Sequence, residues 1–356
     1  MVDKSTGKHL IVPFFIPFEG CPHRCVFCQQ ERITNQPIRK LGKEEIVEVI
    51  ERSLQSQPRA SALGTLDFSR KAGREREIAF YGGTFTGLPY ETMGVLLGAV
   101  GPYIRDGSVG AIRVSTRPDA LDEDKTQFLR GHGVSTVELG AQSMNDEVLH
   151  LSRRGHTASD TARAVQLLKK YRIRVGLQLM PGLPGDSEEI FLDSVQKVIE
   201  LGADMVRLYP TVVIRGTELA RWHKEGKYRP WGLDDAVRIC KKSCLLLEER
   251  GIPVIRMGLI SSPALQKEGQ ILAGPWHEAF GHLVRSRIYF DKIEPQLPCR
   301  GEAAAIRLRV PPREVALVRG FKNEGLKRLQ ASTGARVEGI VADASLPSGR
   351  VEVERL

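Results

Sequence analysis

Short apolar runs alternate with longer amphipathic runs between residues 10 and 290, and this alternation constrains the fold of the 356-residue chain more than any other feature. Such a pattern predicts a parallel sheet, because each crossover helix brings the chain back to the same edge. The predicted strands cover residues 11–16, 77–81, 111–115, 136–140, 174–179, 205–208 and 253–257. The predicted helices cover residues 43–55, 90–100, 122–131, 146–152, 158–171, 188–201 and 233–249. The predicted fold class is therefore α/β, with functional groups at the C-terminal strand ends.

The size and composition of the chain indicate its number of domains, its compartment and the charge of its partners. Its length suits one large domain and a small one, and a polar, basic stretch at residues 56–76 predicts an insertion or a mobile loop. The sequence contains no apolar run of membrane-spanning length, and its first ten residues lack a signal-peptide core, so we expect a cytoplasmic protein. The net charge of +9 permits an anionic partner but does not require one.

Three cysteines, Cys21, Cys25 and Cys28, follow the first predicted strand with the spacing C-x3-C-x2-C. Three thiolates can bind three irons of a 4Fe–4S cube and leave the fourth iron open. A disulfide set fits poorly, because the number is odd and the spacing is tight. A zinc site would need a fourth ligand, and His23 is badly placed to share a metal with its neighbours. The spacing therefore favours an iron–sulfur cluster over zinc.

With the apolar run at residues 10–18 before it and Phe27 inside it, this motif resembles the cluster loop of radical S-adenosylmethionine (SAM) enzymes. The resemblance implies a partial (β/α) barrel, a 4Fe–4S cluster at Cys21, Cys25 and Cys28, and SAM as the second cofactor. In that superfamily the open iron binds the amino and carboxylate groups of SAM. One-electron transfer then cleaves SAM to methionine and a 5′-deoxyadenosyl radical, which abstracts a substrate hydrogen.

A glycine pair follows the second predicted strand, in the sequence Gly82-Gly83-Thr84. Glycines let a ligand approach the backbone closely, and the resemblance implies that these three residues bind the SAM amino group. The alternative is a tight turn with no ligand.

Further SAM contacts are expected after the third and fourth predicted strands. Arg117 lies in a segment that would face the SAM ribose or carboxylate, although that segment also reads as a helix N-cap with Asp119 or Asp122 as the capping residue. Gln142 lies in a Gly-x-Gln-Ser motif and Arg154 in an Arg-Gly-His-Thr motif. Their resemblance to the group that contains oxygen-independent coproporphyrinogen oxidase and the Elongator catalytic subunit implies ligand contacts for both residues.

The segment at residues 207–219 resembles the Elongator subunit more closely, and residues 254–259 end the last predicted strand. These segments imply a substrate side formed by Tyr209, Arg215 and Arg256. Roughly sixty residues follow the core, which is too few for the acetyltransferase domain of the Elongator subunit. We therefore expect a reaction other than the joining of acetyl-CoA to a wobble uridine.

The residues after 299 predict the order β-α-α-β-β and resemble a type I KH domain, giving predicted domains at 1–299 and 300–356. KH domains clamp single-stranded nucleic acid with a Gly-x-x-Gly loop, and here an asparagine, which tolerates left-handed backbone angles, replaces the second glycine. The alternative is a small packing or dimerisation domain. The expected RNA contacts are Gly320, Lys322, Asn323, Lys327 and Arg328.

Together these features predict a radical SAM enzyme that modifies a base in tRNA or rRNA, with a donor such as flavodoxin or ferredoxin supplying electrons. Two alternatives stay open. One is a radical SAM enzyme acting on a small molecule or tetrapyrrole. The other is an iron–sulfur protein that binds RNA without catalysis.

Overall fold

The computed structural model describes residues 10–22, 24–55, 76–259, 262–302 and 304–356. Its centre is a curled sheet of seven parallel strands in the order β1-β2-β3-β4-β5-β6-β8. The sheet is open, since in the described part of the chain β1 and β8 each pair on one side only, and this confirms the predicted partial barrel. The strands of this sheet are β1 (Leu10–Phe15), β2 (Arg76–Tyr81), β3 (Ala111–Thr116), β4 (Val134–Gln142), β5 (Arg174–Leu179), β6 (Met205–Leu208) and β8 (Val254–Met257).

Helices connect the strands and cover the outer face of the sheet. Those of the barrel are α1 (Gln30–Thr34), α2 (Lys43–Gln55), α3 (Tyr90–Arg105), α4 (Glu123–Gly131), α5 (Asp146–Leu151), α6 (Ala158–Lys170), α7 (Glu188–Leu201), α8 (Glu218–Lys224), α9 (Leu233–Glu249), α10 (Pro263–Gln266) and α11 (Phe280–Ile293). A two-stranded antiparallel ribbon of β7 (Val213–Ile214) and β9 (Ile271–Ala273) lies beside them.

The strands divide their residues between two environments. On β2, Ile78 and Phe80 are fully buried in the core, whereas their neighbours Glu77 and Tyr81 line an internal cavity. The same alternation occurs on β3, where Ile112 and Val114 face the core. The core therefore lies between the sheet and its helices, and the inner face carries polar side chains together with apolar ones such as Ile11 and Phe15.

Several helices begin at side-chain caps. The Asp122 carboxylate accepts a hydrogen bond from the Lys125 backbone N–H and caps α4, so of the two capping candidates the structure selects Asp122. Thr157 and Asp160 form a reciprocal capping box at the start of α6. Helix α3 runs five residues beyond its predicted end and includes Pro102.

The C-terminal residues form a second, smaller sheet. Its elements are β10 (Ala305–Val310), α12 (Val315–Arg319), α13 (Glu324–Thr333), β11 (Arg336–Ala342) and β12 (Glu352–Arg355). The central strand β10 pairs parallel with β11 and antiparallel with β12, and the element order matches the prediction.

The small sheet and the barrel meet at α11. Tyr289, Phe290 and Ile293 on this helix belong to the apolar core of the small sheet, whereas Val284 and Ile288 belong to the core of the barrel. The boundary between the two predicted domains stays a prediction.

Two further expectations concern the chain as a whole. The predicted insertion at residues 56–76 lies outside the described residues, apart from Arg76, which begins β2. Throughout the described ranges, no helix combines the length and apolar character needed to cross a bilayer.

Candidate active site

The three cysteines of the motif lie in the loop between β1 and α1, and all three line a cavity of about 660 Å³ inside the barrel. They are free thiols. The Cys21 Sγ and Thr84 Oγ1 atoms are hydrogen-bonded at 3.2 Å, and the Arg154 guanidinium donates to Cys25 Sγ at 3.0 Å. Burial, followed by the proximity of Cys25, raises the pKa of the Cys28 thiol to about 12. Three soft sulfur donors suit an iron–sulfur cluster in their chemistry. Within the described ranges, however, no three Cys, His, Asp or Glu side chains lie close enough together to hold a metal ion, so cluster binding by these thiols stays a prediction.

The glycine turn after β2 supports the cysteine loop by direct backbone contact. Gly83 has φ +54°, and a Cβ atom there would lie only 2.3 Å from the Glu19 carbonyl oxygen and 2.5 Å from that of Ile16. The Thr84 backbone N–H also donates to the Glu19 carbonyl at 2.7 Å. A side chain at position 83 would therefore push the turn and the cysteine loop apart.

Gln30, which was not predicted as a site residue, holds the glycine turn and the cysteine loop together. Its Oε1 atom accepts hydrogen bonds from the backbone N–H groups of Phe18, at 2.6 Å, and Gly83, at 2.7 Å. The Gly83 N–H is thus occupied, and the contact of Gly82, Gly83 and Thr84 with a SAM amino group stays a prediction. The available signal was the glutamine pair directly after Cys28.

Arg154 is held in place by a chain of polar contacts. Its second guanidinium nitrogen donates to the Gly140 carbonyl at 2.6 Å, and its own carbonyl accepts a hydrogen bond from Arg117. Arg117 is in turn clamped by the Asp119 carboxylate through two hydrogen bonds of 3.0 and 2.9 Å. Both arginines are buried in the cavity wall. The predicted contacts of Arg117 and Arg154 with SAM stay predictions.

The rest of the Arg-Gly-His-Thr motif is structural. The His156 Nε2–H group donates to the Ala141 carbonyl at 3.2 Å and so fixes the end of β4. Burial, aided by the nearby charges of Arg154 and Arg117, lowers the pKa of His156 to about 4. His156 is therefore neutral near pH 7, and the motif ends at the Thr157 cap.

Gln142 occupies a strained position at the same strand end. Its φ of +70° is uncommon for a side chain other than glycine, asparagine or aspartate. Its backbone carbonyl accepts from the Met180 N–H, and its side-chain Oε1 accepts from Gln178 at 3.0 Å. Such strain is frequent at ligand sites, and the left-handed backbone brings the Gln142 side chain into the cavity wall.

A buried ionic network, which was not predicted from the sequence, lies on the inner face of the strands. Glu138 on β4 accepts hydrogen bonds from Arg113 on β3 and from Arg207 on β6, the latter at 2.7 Å. Glu77 pairs with the other side of Arg113 at 2.8 Å. Charged residues at alternate positions within apolar strands were the available signal, because such positions face away from the core.

Two tyrosines complete this network. Arg207 donates to the hydroxyl oxygens of Tyr81, at 2.8 Å, and Tyr209, at 3.0 Å. Burial, followed by the charge of Glu138, raises the pKa of Tyr81 to about 12, so its hydroxyl keeps its proton at neutral pH.

The structure separates the three residues expected on the substrate side. Tyr209 and Arg256 line the cavity. Arg215 is exposed next to β7, where its Nε donates to the Gly269 carbonyl at 2.5 Å, and it does not contribute to the cavity wall. A role for Arg215 at the substrate stays a prediction.

The predicted RNA-contact loop lies between α12 and α13. Asn323 has φ +64°, as expected for a residue in place of the second glycine, and Lys322 has φ +49°. Lys322 and Lys327 are exposed, whereas Arg328 stacks over the Phe290 ring at 5.3 Å. Phe321 packs edge-on against His277, 4.6 Å between ring centres, which holds the loop against the barrel.

Known proteins resemble the chain over much of its length. The Radical SAM superfamily pattern matches residues 15–198, and the Radical_SAM C-terminal domain matches residues 203–289. A tRNA uridine(34) acetyltransferase from Methanocaldococcus jannaschii is 39% identical over 132 residues, covering 36% of this chain and 24% of that protein. An uncharacterised protein of the same organism is 29% identical over 231 residues, covering 61% of this chain and 66% of that protein.

The fold is shared with a solved structure. The archaeal Methanocaldococcus infernus Elp3 with an N-terminal deletion superposes with a TM-score of 0.57 and 24% sequence identity, covering 82% of this chain and 64% of that chain. The present chain spans about a quarter of the length of the acetyltransferase from M. jannaschii.

Proposed function

Because this chain belongs to the radical SAM superfamily, we propose that it is an enzyme that modifies a base in tRNA or rRNA. The observation that carries the RNA part of the proposal is the similarity to proteins named for acetylation of tRNA uridine 34. Acetyl transfer itself is outside the proposal, since the matched segments make up about a quarter of those relatives.

The superfamily uses a 4Fe–4S cluster and SAM, as the sequence analysis predicted. When bound, they supply one-electron cleavage of SAM and a radical that abstracts hydrogen. Cys21, Cys25 and Cys28 hold the cluster in this proposal, and Gly82 and Gly83 present carbonyl oxygens to the SAM amino group. The chain's own residues position these groups: Gln30 fixes the turn, and Arg154 donates a hydrogen bond to Cys25 Sγ.

The small sheet is proposed to hold the RNA by its backbone, in the manner of a KH domain. Gly320, Lys322 and Asn323 form the loop, and Lys327 and Arg328 follow it on α13. Residues 300–356 contain eleven basic and seven acidic side chains, a net positive charge that suits phosphate contacts.

The surroundings of the enzyme complete the proposal. Radical chemistry at a low potential requires a reducing partner, and flavodoxin or ferredoxin is proposed as the donor. Cluster thiols persist in a reducing compartment, and on that basis we place the protein in the cytoplasm.

Two measurements test the proposal. Protein reconstituted with iron and sulfide is expected to form 5′-deoxyadenosine from SAM and dithionite, whereas the Cys25→Ala variant is not. The absence of 5′-deoxyadenosine from protein with a full cluster would favour the non-catalytic iron–sulfur alternative.

Mass spectrometry of tRNA and rRNA nucleosides, with and without the gene, tests the substrate. A nucleoside that disappears with the gene and returns with the wild-type copy, but not with Cys25→Ala, supports the proposal. An unchanged profile in both RNA classes rejects it and favours a small-molecule or tetrapyrrole substrate.

A further inference from the structure

The inner face of the barrel carries more cationic than anionic side chains. Between β2 and β8 the cavity wall includes the arginines Arg113, Arg174, Arg207 and Arg256 and the glutamates Glu77 and Glu138. Both glutamates are already engaged, because Arg113 bonds to each of them and Arg207 bonds to Glu138. The neighbouring tyrosines, Tyr81 and Tyr209, are bonded to Arg207. The wall therefore has no spare anion for a further arginine.

Two arginines are left over: Arg174, which is exposed at the start of β5, and Arg256. Arg256 lies on β8 directly beside Arg207 in the strand register. Its side chain forms no hydrogen bond or ion pair with any residue in the described ranges, and its Nε atom is buried without an acceptor. The Arg256 side chain is partly exposed to the cavity, so its other guanidinium donors are open to a ligand that enters it. An arginine in this position implies that its partner arrives with a ligand.

The chemistry of the guanidinium group indicates which ligand. Its planar donors match the oxygens of phosphate and carboxylate in a bidentate geometry. The adjacent Arg207 adds a second positive charge. Its Nη donors are held by Glu138 and the tyrosines, whereas its Nε atom is also buried without an acceptor. Phosphate is the anion that every RNA nucleotide carries and that nucleotide-bearing co-substrates also carry.

We propose that Arg256, with Arg207 beside it, is the seat for a phosphate group of the molecule that reacts in this cavity. This inference rests on the proposed function, because it takes the cavity to be the place where the substrate is modified. It adds the substrate chemistry, namely a phosphate bound on the inner face of β6 and β8. These strands form one edge of the sheet, and β1 and β2 form the other edge.

The direct test is titration of the full-length protein with inorganic phosphate at constant ionic strength. Binding is measured by isothermal titration calorimetry and by the broadening of the phosphorus NMR resonance of the phosphate. Phosphate is expected to bind the wild type at least ten times more tightly than Arg256→Gln, with Arg256→Lys in between. Arg163→Gln, which removes an exposed charge on α6, is the matched control and should bind like the wild type.

Two results would overturn the inference. One is equal phosphate affinity in the wild type and in a folded Arg256→Gln or Arg256→Lys variant. The other is a wild type that binds no phosphate at millimolar concentrations.

Competition identifies the source of the phosphate. A short single-stranded RNA that displaces phosphate, and that itself binds Arg256→Gln more weakly, assigns the seat to an RNA phosphodiester. Displacement by acetyl-coenzyme A and not by RNA assigns it to a free co-substrate. If neither competes, the site does not serve a substrate and the inference fails. None of these measurements needs turnover, so an unchanged RNA nucleoside profile would reject the proposed function separately.

Discussion

The two ends of the cavity are assembled from different interactions. At the cysteine end, backbone meets backbone: Gly83 leaves room for the Glu19 and Ile16 carbonyls, and Gln30 ties the two segments together. On the inner face of the strands, charged side chains meet across four strands through Glu138 and Arg113. Close backbone packing is intolerant of added atoms, whereas an ionic network is intolerant of lost charge. Variants at the two ends separate these two sensitivities.

The largest effect is expected from Gly83→Ala. The added methyl group meets two carbonyl oxygens and a left-handed backbone, so the turn and the cysteine loop must separate. We expect almost complete loss of reconstituted iron and several kcal/mol of stability, read from iron analysis and urea unfolding. Gly98→Ala on α3 is the matched control, since a Cβ there meets nothing within 4 Å. That change should stabilise the protein by about 0.5–1 kcal/mol. Normal iron content in Gly83→Ala would contradict the steric account.

Glu138→Gln tests the ionic end. It removes the charge shared by Arg113 and Arg207, whose side chains are almost fully buried, and should cost about 3–5 kcal/mol in the free energy of unfolding. Glu248→Gln removes the partner of Arg285 at a half-exposed site and should cost less than about 1 kcal/mol. Equal losses in urea unfolding would show that burial of the network has little energetic weight.

Stability should also depend on the titration of His156. Its folded pKa of about 4 lies below the unfolded value, so below pH 6.5 the unfolded chain takes up a proton that the folded chain refuses. We expect stability to fall by about 3 kcal/mol between pH 6.5 and pH 4 from this residue. His156→Gln keeps an N–H donor but does not titrate, and its stability should vary less over that range. Identical pH profiles for the two proteins would rule out this contribution.

Arg154→Gln tests whether the cysteine end also depends on charge. Loss of a cationic donor to Cys25 Sγ should shift the reduction potential of the bound cluster to a more negative value, because hydrogen bonds to sulfur favour the reduced cluster. Redox titration followed by electron paramagnetic resonance measures this. Arg153→Gln is the neighbouring control, since Arg153 is exposed and pairs with Glu218. An unchanged potential in Arg154→Gln would limit Arg154 to holding Gly140.

The smallest effect is expected at the loop of the small sheet. Asn323→Gly keeps the left-handed backbone available and should change stability by less than about 1 kcal/mol, whereas Asn323→Val should cost more. Thermal unfolding distinguishes the two. If valine were tolerated as well as glycine, the φ of +64° at this position would not matter to the fold.

The sequence predicted the parts of the site that depend on local chemistry. The strands at 174–179 and 205–208 and the helices at 43–55, 188–201 and 233–249 match the structure residue for residue, because their apolar periodicity is regular. The cysteines and the glycine pair do lie on the cavity wall, while their roles as ligands of a cluster and of SAM stay predictions.

The remainder depends on contacts between distant segments. Gln30 gains its role only when α1 meets the turn after β2, and the glutamine pair after Cys28 does not by itself predict that contact. Glu77, Arg113 and Glu138 form a network only once three strands are in register. Helix α11 was missed because its buried residues serve two different cores, which blurs the apolar stripe that a single core would impose.

Because α11 contributes to both apolar cores, the small sheet cannot be transferred to another protein without this helix. Tyr289, Phe290 and Ile293 fill the interior of the small sheet from outside residues 300–356, and the Ser286 hydroxyl donates to the Leu317 carbonyl at 2.7 Å. A graft that starts at residue 300 would leave an apolar gap in the transplanted unit. A graft that starts before Phe280 includes all of α11 and so keeps the apolar core of the small sheet complete. It also exposes Val284 and Ile288, which the new host must cover.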